Sequence, residues 1–173
     1  MEANKAFKKP KVLSMNSFFK LINHPFKFRL FLLYKLPVAF FSGLKIVECT
    51  PEKCVTSVPY KWLTQNPFRS TYFASLAMAA EMSTGALALS NTYKQTTAIS
   101  MLITKMEASY FKKANSLTLF TCGDGMLISN TIHEARKTGE GKTITVKTIG
   151  ENETGELIAE FLFTWSFKIK KGR

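Results

Sequence analysis

The sequence predicts an α+β domain in which strands wrap one long buried helix, with a helical extension ahead of it. Three observations carry this. First, from Ser70 to Tyr93 the chain carries a single charge, Glu81, and its apolar positions gather on no one face, the pattern of a helix buried on most sides. Its small residues, among them Ala74, Ala77, Ala80, Ser83, Gly85 and Ala88, let other backbone come close, as a sheet must. Second, the patterned segments run in the order two strands, long helix, two strands, helix, two strands. Third, 15 Phe in 173 residues point to one folded domain with a substantial apolar interior and against disorder.

Taken in order, residues 1–12 read as a basic tail. Ser14 to Asn23 reads as a short helix ended by Pro25, and a second helix starts with Pro25 in its first turn and stops at Pro37. After Ser42 and Gly43 the pattern becomes alternating. The runs LKIVECT and CVTSVPYKWL form a hairpin about the turn Pro51–Lys53, and the second strand continues to the break at Asn66-Pro67. Pro67 resists a helix interior and Ser70 can cap free N–H groups, so the long helix is expected to begin near Ser70. Asn91 to Gln95 form a polar exit. Ala98–Tyr110 and Ser116–Cys122 alternate as strands about a turn at 111–115. A helix from about Asp124 to Lys137 ends at Gly139, and strands Lys142–Gly150 and Leu157–Lys168 flank a turn containing Asn152 and Gly155. The expected division is an extension over 1–42 and a domain over 43–173.

Charge and composition exclude several classes. The net charge is +12, and residues 1–35 supply +7 of it: Lys5, Lys8, Lys9, Lys11, Lys20, Lys27, Arg29 and Lys35 against Glu2. That implies attraction to anions without naming them. No uninterrupted apolar run is long enough to span a bilayer, since Glu81 breaks the one candidate, and the charged N-terminus does not read as a secretory signal. The odd count of cysteines, Cys49, Cys54 and Cys122, lacks metal-type spacing and reads as reduced core residues of a cytoplasmic protein. No phosphate-binding glycine loop, dinucleotide turn or metal-ligand cluster is present, so no cofactor and no metal are expected. The basic tail lacks a nucleic-acid-binding motif, and no nucleic-acid partner is expected. Residues 13–41 mix Phe and Leu with cations. They read either as helices packed on the domain with cations in water, or as a peripheral membrane or acyl-channel element.

A lone carboxylate in an apolar helix costs several kcal/mol unless paired, hydrogen-bonded or protonated, so Glu81 needs a reason. The run N-P-F-x-S-x-Y-F-x-x-L-x-x-x-x-E, here Asn66 to Glu81, together with the terminal Phe161-Leu162-Phe163-Thr164-Trp165, resembles a hotdog-fold family of thioesterase-like proteins with a domain of unknown function. The likeness covers about Gly43 to Phe167, and KLINHPFKFRLFLLYKLP is similar to an extension of some members. It implies a curved antiparallel sheet around one helix. It also implies an acyl-thioester hydrolase or binder acting on acyl-CoA, built as a homodimer, or a tetramer, with sites between subunits. By position, Glu81 falls on the general base or nucleophile, and Asn66 on the amide that orients thioester or water. The N–H groups near Tyr72, Phe73 and Ala74 fall where the carbonyl is polarised, which suits a helix N-terminus.

Two departures accompany the likeness: Tyr72-Phe73-Ala74 stands where better-known relatives have His-Gly-Gly, and Arg69 where close ones often have Gly. Arg69 can pair with Glu81 across a dimer or bind a substrate phosphate. Lys112 and Lys113 either meet coenzyme A phosphates or form a solvated turn, and Phe68, Tyr72, Phe73 and Met78 are expected to line the acyl tunnel. His24 and His133 have no partner at motif spacing. Two readings result: a cofactor-independent acyl-CoA thioesterase, or a non-catalytic acyl-chain or acyl-CoA binding protein on the same fold. Empty, polar-lined space beside Glu81, where a water can sit, favours the first, and Glu81 locked against Arg69 the second.

Overall fold

The computed structural model describes residues 13–95 and 97–170; the basic segment 1–12 lies outside them. Three helices, α1 (Leu13–Ile22), α2 (Pro25–Lys35) and α3 (Pro37–Ser42), precede the hairpin β1 (Lys45–Cys49) and β2 (Cys54–Val58). The long helix α4 spans Phe73–Thr92; β3 (Ile99–Tyr110), β4 (Thr118–Cys122), α5 (Gly125–Thr138), β5 (Lys142–Asn152) and β6 (Leu157–Ile169) complete the chain. The strands form one antiparallel sheet in the order β1-β2-β4-β5-β6-β3 around α4, the arrangement the resemblance implies.

Three boundaries differ from the expected ones. Pro37 does end α2, but it also opens α3, since a proline at the first helical position forfeits only an N–H that has no intrahelical acceptor. Gly43, at φ 79°, then closes α3 in the left-handed region. Strand β2 stops at Val58 rather than running to Leu63, because Pro59 cannot donate to a ladder. Finally, α4 begins at Phe73, not Ser70, with Tyr72 at the N-cap and no side-chain cap. Ser70 is engaged in the preceding loop, its Oγ donating to Asn66 Oδ1 at 3.2 Å.

An all-round apolar helix has no preferred rotation about its axis, and α4 takes its rotation from polar contacts. Thr56 of β2 donates to Ala79 O at 2.7 Å, Ser83 Oγ and Thr148 Oγ1 of β5 lie 2.9 Å apart, and Trp165 Nε1 of β6 donates to Thr84 Oγ1 at 3.1 Å. Three strands thus hold α4 at three points, and together they set the direction in which Glu81 leaves it. By length and mean hydropathy α4 could cross a membrane, but 61% of its most apolar 18-residue window is buried inside this fold, where it serves as the core helix.

The N-terminal helices share that core. Phe18, Ile22, Phe28, Leu32 and Ala39 are buried in the same cluster as Leu76, Leu87, Phe120 and Trp165. Asn23, just after α1, ties the extension to the sheet: its Nδ2 donates to Cys49 O at 2.9 Å, and its Oδ1 accepts from Cys49 N at 3.2 Å. Cys49 faces Cys54 and Cys54 faces Cys122 across three strands, all three as buried free thiols. The Cys49 thiol hydrogen-bonded beside it, together with burial, raises Cys54 well above its ordinary pKa, and burial pushes Cys122 up to about 12. Cys54 and Cys122 therefore stay protonated and are poor nucleophiles.

Candidate active site

Two hollows hold most of the residues in question. The first is an open cleft of about 550 Å³ at the N-terminal end of α4, lined by Asn66, Phe68, Tyr72 and Phe73 on one side and by Tyr110, Lys112 and Lys113 on the other. Asn66 organises its loop: Oδ1 accepts from Phe68 N at 3.0 Å and from Ser70 N at 3.3 Å, besides the Ser70 hydroxyl. Its oxygen is therefore occupied, and the amide NH₂ is the part left to meet a ligand.

The first turn of α4 supplies donors to this cleft. Tyr72 N–H is taken by Thr64 O at 2.6 Å, and Ser75 N–H turns back to Tyr72 O at 2.9 Å. Among the described residues no acceptor lies on the Phe73 and Ala74 N–H groups, which stand at the positive end of a 20-residue helix. On the far rim Lys112 forms an ion pair with Glu156, leaving Lys113 as the cation without a partner among the described residues of this cleft. Arg69 is exposed and holds φ 58°, a left-handed conformation that a glycine adopts more easily. It makes no ion pair with Glu81 in the chain.

The second hollow lies beside Glu81. It is a cavity of about 190 Å³ between α4, the sheet and the N-terminal helices, walled by Phe18, Ile22, Phe28, Met101 and Trp165. It exceeds the roughly 150 Å³ of a cavity that accommodates benzene, so it has room for an alkyl segment. Met78 is not in the first cleft; it lines a smaller surface hollow with Glu81, Lys35, Leu36 and Val38. No cation or hydrogen-bond donor among the described residues reaches the Glu81 carboxylate, and burial among apolar side chains raises its pKa above the ordinary carboxylate value. The space beside it is open yet almost wholly apolar in its walls.

Within one chain, Glu81 and the α4 N-terminus are separate. The eight helical steps from Phe73 to Glu81 amount to about 12 Å along the axis. A single thioester carbonyl cannot touch both when reacting atoms must approach to about 3 Å. The structure therefore groups Asn66, Phe68, Tyr72, Phe73 and Lys113 in one place and Glu81 with Met78 in another.

Sequence reasoning missed Gly85. A Cβ built there would stand 2.7 Å from Glu81 Oε1, so the carboxylate lies over the glycine one helical turn on. The i, i+4 spacing of Glu81 and Gly85 was the available signal. Gly85→Ala is expected to keep or raise the melting temperature, since alanine is favoured over glycine in a helix by about 1 kcal/mol. It must also displace the carboxylate, so activity should fall while stability does not, as thermal melts run beside an activity assay will show.

Comparison with known proteins agrees with the fold. A Pseudomonas aeruginosa protein of unknown function, PA5026, described as a probable thioesterase, superposes with a TM-score of 0.71 at 20% identity, covering 84% of this chain and 97% of that one. A Chlorobaculum tepidum protein of unknown function superposes at 0.70 and 17% identity, covering 85% and 97%. The thioesterase HI1161 of Haemophilus influenzae superposes at 0.57 and 12% identity, covering 81% and 88%. No functionally curated protein matches the sequence. Helix, sheet order and neighbours together define the hotdog fold. Within that class the chain belongs to the family described as Domain of unknown function (DUF4442), whose model matches residues 27–167.

Proposed function

We propose that this protein hydrolyses acyl-CoA or a related acyl thioester at a site shared by two protomers. The observation that carries the reading is the Glu81 carboxyl, unpaired and desolvated on the core helix beside an alkyl-sized cavity. A base is most useful when its pKa lies near the working pH, and burial moves Glu81 in that direction. In the proposed reaction the Glu81 carboxylate takes a proton from water as the water oxygen bonds to the thioester carbon. The carbonyl electrons move to oxygen, where the Phe73 and Ala74 N–H groups of the partner hold them, and return as the C–S bond breaks and the sulfur leaves as a thiol with the proton that Glu81 took, which restores the carboxylate. Asn66 orients the carbonyl or the water, and Phe68, Tyr72 and Arg69 border the mouth. Lys113 meets the coenzyme phosphates, with Lys112 already engaged by Glu156.

The distance between Glu81 and the helix N-terminus supports a homodimer for this reaction, and β3 offers the edge for it. Among the described residues this 12-residue strand pairs on one side only, with β6, and it exposes Leu102, Met106 and Tyr110. The second reading, an acyl-chain binder without turnover, is favoured by the apolar walls around Glu81, which offer few groups to hold a water.

A thiol-release assay over acyl-CoAs from short to long chain separates the two. Turnover with at least one chain length is expected. No turnover with any chain, together with retention of a fluorescent fatty acid, would establish the binder instead.

A further inference from the structure

The outer surface of the N-terminal helices is not explained by catalysis. While α2 buries Phe28 and Leu32, it turns Phe26, Leu30 and Leu33 outward at i, i+4 and i+7, a continuous apolar stripe, with Tyr34 beside it. Helix α3, packed against α2, exposes Val38 and Phe41. The loop after β2 is fastened to its end, Lys61 Nζ donating to Phe41 O at 2.9 Å, and it presents Trp62. Phe26, Tyr34 and Trp62 are 74%, 76% and 80% exposed. Large aromatic side chains held this far into solvent on three adjoining elements mark an interaction surface.

Charge decides what that surface meets. From residue 13 to residue 47 the sequence holds Lys20, Lys27, Arg29, Lys35 and Lys45 and no acid, and four lysines at 5, 8, 9 and 11 precede it. Lys20, Lys27, Lys35 and Lys45 are exposed, and Arg29 stacks on the Phe40 ring at 4.0 Å, joining α2 to α3. A second copy of this chain meeting the face symmetrically would set these cations against their own equivalents. An anionic bilayer meets both properties at once: lipid headgroups neutralise the lysines, and the aromatic and leucine side chains enter the acyl boundary, where Trp and Tyr are favoured.

We propose that the α2–α3 face, with Trp62, docks on a membrane surface rich in anionic lipid. The face covers the helices that wall the Glu81 cavity, and the hollow shared by Lys35, Leu36, Val38 and Glu81 reaches the surface there. Docking does not depend on the hydrolase reading, because it is measured without substrate.

The test is flotation of the full chain with vesicles of phosphatidylcholine alone or with 30% phosphatidylserine, in 0.1 and 0.5 M salt. Trp62 emission is followed in parallel, Trp165 being already buried. Binding to the phosphatidylserine vesicles with a blue shift is expected. Phe26→Glu with Trp62→Glu, and separately Lys27→Glu with Lys35→Glu, should each weaken binding by about tenfold or more. These side chains are exposed, so melting temperatures should not change. Absence of binding to phosphatidylserine vesicles would overturn the proposal. So would binding that salt abolishes without any Trp62 shift and that the Phe26/Trp62 pair does not alter, which would assign attraction to charge alone. A larger assembly in light scattering that Phe26→Glu with Trp62→Glu reduces would instead make the face a contact between copies, and the proposal would fail.

Discussion

Glu81→Gln is expected to lower thioester hydrolysis by about 10²–10⁴-fold while leaving the fold intact, the range general-base catalysis typically contributes. Gln keeps the shape of the side chain and cannot accept the water's proton. The parent enzyme's kcat/KM should rise with pH as Glu81 ionises, with its midpoint above that of an ordinary carboxylate because burial raises the pKa. Stability moves the other way. A carboxyl whose folded-state pKa is raised contributes stability that is complete below its unfolded pKa and is lost as pH climbs through the folded one. At neutral pH and above, Glu81→Gln should therefore melt at a temperature equal to or higher than the parent, and the two should converge in acid. An inactive variant that also melts lower across the range would mean that Glu81 is a structural group, and the catalytic assignment would fall.

Mixed dimers should recover activity that neither parent variant has. Phe73→Pro deletes one N–H at the first helical position, where proline fits, and Tyr72 before it already holds the extended φ −61° and ψ 134° that a following proline demands. Loss of such a donor costs about 10²–10³-fold in turnover. When Glu81→Gln and Phe73→Pro chains are unfolded together and refolded at equal concentration, about half the dimers are mixed, and each holds one intact site of two, giving about a quarter of parent activity. If each chain completed its own site, mixing would restore nothing. The experiment reads directly whether the 12 Å or so between Phe73 and Glu81 is bridged by the partner.

The same two residues show how far the sequence could be read. Glu81 stood out because one charge in an apolar helix is chemically conspicuous, and the Asn66–Glu81 run marked the hotdog helix before any coordinates. The element order was legible because strand alternation and proline breaks are local signals. The start of α4 was not, because the Ser70 hydroxyl is engaged in the preceding loop, donating to Asn66 Oδ1, instead of accepting from the N–H groups of the helix. Nor was the separation of Glu81 from the cleft legible, since spacing along a helix does not say which hollow each turn faces. The wall that Phe18, Ile22 and Phe28 build beside Glu81 joins residues more than fifty positions apart, and no local pattern predicts that contact.

Asn23 has a bearing on how many chains can join. A sheet has two rims, and each is a template on which another strand can add. Strand β1 is five residues long, breaks register between Ile46 and Glu48, and has its last N–H and C=O occupied by the Asn23 amide, which acts there as a one-residue stopper. Among the described residues the long rim at β3 has no such stopper. Two chains joined β3 to β3 would leave only stoppered rims outside, so strand addition would end at a closed pair rather than propagate into a fibre.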